Sequence, residues 1–436
     1  MPTYIDPLLY GSLPTKPNTM GMEAVLTDKV DVGLLSEAVE SLRERFPYFY
    51  VRPQIAGTDL VLAPNDLPVV VRDSWEPTIL VSKETNYHVL SFKCEDKRLA
   101  AEVMHPVTDG SGFMPYFKSV LFCYLSKRYG IEFDRTGFRL PGDEIPDSET
   151  GSPFSEEAVD AVKAPFYVKP EFKHFMQIKE PDSTWRAIKI KMAADEVMGR
   201  CKELDASPNA LICVLLARAV HKIQPQDEKV ILGGIAVNRK AILGNTDNYR
   251  CFADLAYIHY KPENLDKDLS LMCTVTRGQV IMQTQPENVL FNLKKMKEGM
   301  PTLHGIPSIG AKMLFIGSMA GHRRTTYTVS YAANRTFGPL DPYIEEFYVH
   351  AEPVPSAVVV EVSCINNAFF LHFEQRFKSE ALLNAFLDEL RLAGIEPEVL
   401  RKEAYLTSDV RYDDLKIPVV EEAKTAWDGF LASFKR

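Results

Sequence analysis

Apolar and polar positions alternate along Val89–Cys94 and again along Leu99–Met104. In the second run Leu99, Ala101 and Val103 fall on one side, and Ala100, Glu102 and Met104 on the other. A period of two marks a strand. The polar break Glu95-Asp96-Lys97-Arg98 joins the runs, which predicts a hairpin. Beyond it the period changes: Met114, Phe117, Val120, Leu121 and Leu125 recur at helical spacing and predict a helix reaching Tyr129. Gly110 and Gly112 let the chain turn sharply between strand and helix.

The same reading extends along the chain. Met22–Leu26 predicts a strand. A helix starts at Asp31, carries Leu35, Ala38, Val39, Leu42 and Phe46 on one face, and stops at Pro47. Tyr48–Val51 and Leu60–Leu62 are short strand candidates. Residues 133–164 mix prolines, glycines and acids, which predicts an exposed, solvated linker with one short helix near Glu156–Val162. Strand Trp185–Met192 and helix Asp195–Leu204 follow. Ser207-Pro208 supplies a capping side chain and a first-turn proline for Asn209–Ile223, which is apolar nearly all round and so is expected to be buried. Val230–Val237 predicts an interior strand. Three helices, 269–283, 286–300 and 307–319, lead to a strand at Tyr327–Ala333. A hairpin then turns at Asn366-Asn367, and a helix led by Ser379 ends at Gly394. Ala423, Trp427, Phe430, Leu431 and Phe434 give the tail an amphipathic helix.

Composition narrows the picture. A chain of 436 residues with 46% hydrophobic content can form two or three subdomains with sizeable cores. Its 50 basic and 59 acidic residues leave a net charge of −9, which argues against nucleic acid as a partner. The seven cysteines are scattered without a C-x-x-C pair, as expected of reduced thiols in a cytoplasmic protein, and read by default as small apolar residues. Neither a signal-peptide pattern nor a spanning apolar run is visible, so no transmembrane segment is expected. The nine histidines make no metal-binding spacing, and no G-x-S-x-G elbow appears, so neither a metal nor a serine nucleophile is expected.

The candidate chemistry lies in His105-Pro106-Val107-Thr108-Asp109-Gly110. A histidine held at a strand end, before a tight loop and a helix, suits a general base near neutral pH. The plainer reading is a histidine that merely ends a strand. Asp109 would brace the loop, by accepting backbone N–H bonds or by pairing with a distant cation.

These residues resemble the H-x-x-x-D-G signature of the coenzyme-A-dependent acyltransferase superfamily, which includes chloramphenicol acetyltransferase, plant BAHD acyltransferases, alcohol acetyltransferases and peptide-synthetase condensation domains. Met104 stands where many members carry another histidine, as in the BAHD and alcohol acetyltransferase branches. The BAHD D-F-G-W-G element is absent. Arg45-Phe46-Pro47-Tyr48-Phe49 is similar to an arginine-tyrosine-proline element of the group.

The resemblance implies an α+β fold of two chloramphenicol-acetyltransferase-like lobes with the active-site tunnel between them. The lobes would span 1–174, with the linker at about 133–164, and 175–395; a helical extension would cover 396–436. It implies catalytic His105 and Asp109, with His105 as general base. An acyl group would pass directly from acyl-CoA or an acyl carrier protein thioester to a hydroxyl or amine acceptor. That thioester is a co-substrate; no permanently bound cofactor is implied. The protein would be a monomer or homodimer. A non-catalytic module that binds a carrier protein or acyl substrate is the alternative.

Val237-Asn238-Arg239-Lys240 resembles the V-N/D-x-R element whose arginine pairs with the motif aspartate. Here Arg239 is one position early and Lys240 stands in its place, so either is a candidate partner of Asp109. Asn334-Arg335-Thr336-Phe337-Gly338 is similar to a serine-asparagine-x-glycine stretch of the group. That makes Asn334 and Ser330, with Gly110, candidate substrate-binding residues, against the plainer reading of Asn334 as a turn residue.

Overall fold

A computed structural model describes residues 6–12, 18–168, 170, 174–179, 184–320, 325–332, 336–351, 356–404, 409–411 and 415. The strands are β1 (Thr19–Leu26), β2 (Val51–Ala56), β3 (Asp59–Pro64), β4 (Val71–Asp73), β5 (Ile79–Leu80), β6 (Leu90–Glu95), β7 (Arg98–Met104), β8 (Arg186–Ala193), β9 (Ile231–Asn238), β10 (Ala253–Tyr260), β11 (Tyr327–Tyr331), β12 (Ile344–Ala351), β13 (Val358–Ile365), β14 (Ala368–Gln375), β15 (Glu398–Ala404) and β16 (Asp409–Val410).

Two sheets organise the α+β fold. The first runs β12-β1-β7-β6-β4 and the second β10-β9-β11-β13-β14-β8-β15. Strand β12 comes late in the sequence yet pairs antiparallel with β1, Met22 opposite Val349. Each sheet packs helices on one face. Against the first lies helix Gly110–Tyr129, whose Phe113, Tyr116, Phe117, Val120 and Leu121 are fully buried. Against the second lie helices Pro208–Ile223 and Ala381–Leu392, with Leu211, Leu215, Leu382 and Phe386 in a separate core. Each such side chain contributes about 1.5–3 kcal/mol by leaving water.

The β6–β7 hairpin forms with Glu95 opposite Arg98. The later hairpin forms with Ile365 opposite Ala368, and Asn366 and Asn367 take φ of 48° and 56°, the left-handed pair a tight hairpin turn needs. The expected cap also forms: the Ser207 hydroxyl accepts the Ala210 N–H at 3.3 Å.

Ionised side chains tie the sheets together. Glu23 of β1 meets Lys189 of β8 at 2.7 Å and Arg98 of β7 at 3.0 Å, and Arg98 reaches Glu403 of β15 at 3.0 Å. Burial alone would raise the Glu23 pKa, but the charges of Lys189 and Arg98 win and hold it at about 2.

Several expectations need correction. The first long helix is Val32–Ser41 and stops before Pro47. The Ser41 hydroxyl turns back onto the Ala38 carbonyl at 2.7 Å, offering the backbone a competing bond. Residues 47–49 make a single 3₁₀ turn, and the two short strands are one hairpin, β2–β3. The extension after 395 opens as a strand, not a helix, because β15 covers the edge of β8. The tail helix at 423–434 lies outside the described residues. The acids of 133–164 are not all solvated: Glu149 is buried and takes Arg45 in a two-pronged bond at 2.7 and 2.9 Å, with the Tyr48 hydroxyl on the same carboxylate.

Candidate active site

His105 follows the last residue of β7. Its backbone N–H is fixed by the Asn18 carbonyl at 2.9 Å, and its ring is half-buried. Nδ1 lies 3.0 Å from the Thr108 carbonyl and 3.6 Å from the Cys251 sulfur. A carbonyl only accepts, so Nδ1 carries the proton, and the neutral ring presents Nε2 as its lone-pair nitrogen. Among the described residues, Nε2 makes no hydrogen bond. Thr108 is itself anchored, its hydroxyl donating to the Tyr249 carbonyl at 2.6 Å.

Burial pushes the His105 pKa down. The Cys251 sulfur, by charge and by hydrogen bond, outweighs burial and raises it to about 10. Cys251→Ser removes the sulfur, so the pH at which kcat/KM reaches half its plateau is expected to move to lower pH. An unmoved pH profile would show that the sulfur does not tune His105.

Asp109 caps helix Gly110–Tyr129, Oδ1 accepting the Gly112 N–H at 2.9 Å. Oδ1 also takes the Ser111 hydroxyl at 2.7 Å and Lys240 Nζ at 2.8 Å, and Oδ2 takes the Phe252 N–H at 2.7 Å. Burial would raise the Asp109 pKa, but the Lys240 charge and these donors hold it below the usual carboxylate range. Asp109 therefore braces the loop and does not hydrogen-bond the imidazole.

Lys240 takes the pairing and Arg239 does not. Asn238 caps the short turn Arg239–Ile242 through its side chain, which turns Lys240 inward to 0% exposure. The Lys240 ammonium spends its three protons on Asp109, the Asn248 carbonyl at 2.8 Å and the Arg250 carbonyl at 2.9 Å. Arg239 instead donates to the Phe252 carbonyl at 3.1 Å and pairs with Asp254 at 3.4 Å.

At Gly112 the motif loop lies close against the Tyr249 backbone. A Cβ there would stand 2.1 Å from the Tyr249 carbonyl oxygen and 2.7 Å from the Thr108 hydroxyl. Gly112→Ala is expected to cost at least about 1–3 kcal/mol by overpacking, measured by urea denaturation; a loss well under that range would mean the loops separate freely. A Cβ on Gly110, by contrast, would meet nothing within 4 Å, so that position borders open space.

Ser330 lies on β11, in register with Glu361 of β13. Asn334 lies outside the described residues. Cys251 and Glu361 are site residues that the sequence reading missed. Only the fold brings the Cys251 sulfur to His105, 146 residues earlier in the chain. Among the described residues, no three His, Cys, Asp or Glu side chains converge as a metal would require.

This fold is similar to that of several solved structures. The TRI101 protein of F. sporotrichioides, solved with coenzyme A and T-2, superposes with a TM-score of 0.57 at 12% identity, over 90% of this chain and 98% of its own. TRI3, a trichothecene 15-O-acetyltransferase from Fusarium sporotrichioides, gives 0.56 at 10% identity, over 89% and 93%. Polyketide synthase associated protein 5 from Mycobacterium tuberculosis gives 0.54 at 14% identity, over 84% and 92%. No family model and no curated protein matches the sequence.

Proposed function

We propose that the protein is an acyltransferase that moves an acyl group from an acyl-CoA or carrier-protein thioester to a hydroxyl or amine. The observation that carries this reading is the half-buried His105 ring, with Nδ1 held by the Thr108 carbonyl and Nε2 left as the acceptor nitrogen. Nε2 removes the acceptor proton as its oxygen or nitrogen attacks the thioester carbonyl. The tetrahedral oxyanion is met by a backbone N–H or by Ser330 or Asn334. His105 then passes its proton to the departing thiolate. No acyl-enzyme is needed, because holding both substrates in one site lowers the barrier by positioning. Asp109 and Lys240 act as positioning residues, and Arg239 supports the strand end.

The two lobes divide near residue 175, with β12 returned to the first sheet, and the substrates enter along the seam between them. No described helix is long and apolar enough to cross a membrane; we infer a cytoplasmic enzyme, monomeric or dimeric. The test is incubation of the purified protein with acetyl-CoA and a panel of alcohols and amines, with free thiol measured. Acceptor-dependent thiol release supports the reading. No release, together with tight binding of an acyl carrier protein, would instead make it a binding module.

A further inference from the structure

Among the described residues, Glu361 is a buried acid that interacts electrostatically with His105 and has no task in the chemistry above. Its neighbours Val358, Val360 and Val362 point into the helix-covered core of the second sheet, so Glu361 points the other way. It stands in register with Ser330 on one side and His372 on the other. Only 6% of it is exposed. Its carboxyl bonds to the Ser330 hydroxyl and lies close enough to His105 for the two charges to interact. Its Oε2, fully buried, has no hydrogen-bond partner among the described residues. A buried polar atom left unmatched is costly and is ordinarily satisfied by something.

We propose that Glu361 is a specificity-determining residue that binds a second hydroxyl of the acceptor, beside the one His105 deprotonates, so that the preferred acceptor is a neutral diol or polyol. This rests on the acyltransfer reading. Burial raises the Glu361 pKa against the opposing pulls of Ser330 and His105. The group is thereby favoured as a neutral acid, which donates one hydrogen bond and accepts another. A hydroxyl does the same, so the two match. A cationic amine would require the acid to ionise in a buried site, which burial opposes.

The experiment compares acceptors that differ by one hydroxyl: propanol against propylene glycol, and phenethyl alcohol against styrene glycol. Thiol release from acetyl-CoA gives kcat/KM for each with the wild-type protein, Glu361→Gln and Glu361→Leu. The wild type is expected to favour the diol of each pair by about tenfold, the size of one net hydrogen bond. Glu361→Gln, which still donates and accepts, retains most of that ratio, and Glu361→Leu brings it close to one.

Three results overturn the proposal. The wild type shows no preference for the diol. Glu361→Leu slows both members of a pair equally, which would make Glu361 only a support for Ser330. An amine is preferred over the diols and lost in Glu361→Gln, which would make this a cation site. If no acceptor releases thiol, acyl transfer fails as a reading, and calorimetry then decides for Glu361. Styrene glycol binding to the wild type and not to Glu361→Leu still supports the hydroxyl site; equal binding, or none, refutes it.

Discussion

Lys240→Met is expected to destabilise the protein by about 3–5 kcal/mol, the cost of leaving a buried charge without its partner. Methionine fills much of the same space but carries no proton to give. Asp109 then stays buried beside an apolar chain, and the carbonyls of Asn248 and Arg250 lose the same donor. Urea denaturation measures the loss. A loss under about 1 kcal/mol, the range of exposed pairs, would show that the pair is solvated. Removing both charges with Asp109→Leu/Lys240→Met is expected to cost less than the two single changes summed, because neither charge is then stranded. The pH dependence follows from the sign of the shift. The Asp109 pKa is lowered in the folded state, so its contribution is present above the unfolded carboxylate range and is lost as pH falls through the lowered value.

His105→Ala is expected to lower kcat by about two to four powers of ten, the usual worth of a positioned general base. Stability should change far less than for Lys240→Met. The ring is half-buried, and what the change removes is one side-chain hydrogen bond to Thr108 and the contact with Cys251. Residual turnover would come from holding donor and acceptor together, which needs no imidazole.

Much of the fold was legible because period and punctuation agreed. The β6–β7 hairpin, helix Gly110–Tyr129 and the Asn366-Asn367 turn each carry a local signal that tertiary packing reinforced. The errors fell where distant contacts decide. Glu149 sits in an acidic, proline-rich stretch that reads as solvated, yet Arg45, 104 residues away, draws it inside. Strand β15 forms because β8 offers it an edge, which nothing in its own pattern announces.

The site divides in the same way. His105 and Asp109 could be proposed from sequence because the H-x-x-x-D-G spacing lies within one strand-loop-helix unit. Lys240 and Arg239 were left as alternatives, because one residue of register in a capped turn settles which cation turns inward. Cys251 and Glu361 were hidden, because only the fold sets one against the His105 ring and lets the other's charge act on it.

The most direct measurement is the rate of coenzyme A thiol release from acetyl-CoA in the presence of an accepted alcohol. Wild-type protein and His105→Ala are compared at matched concentration, with matching circular dichroism and melting profiles. Release that depends on the alcohol and falls by about two powers of ten or more in the variant is the predicted result. Release that continues at the wild-type rate without the imidazole would contradict it.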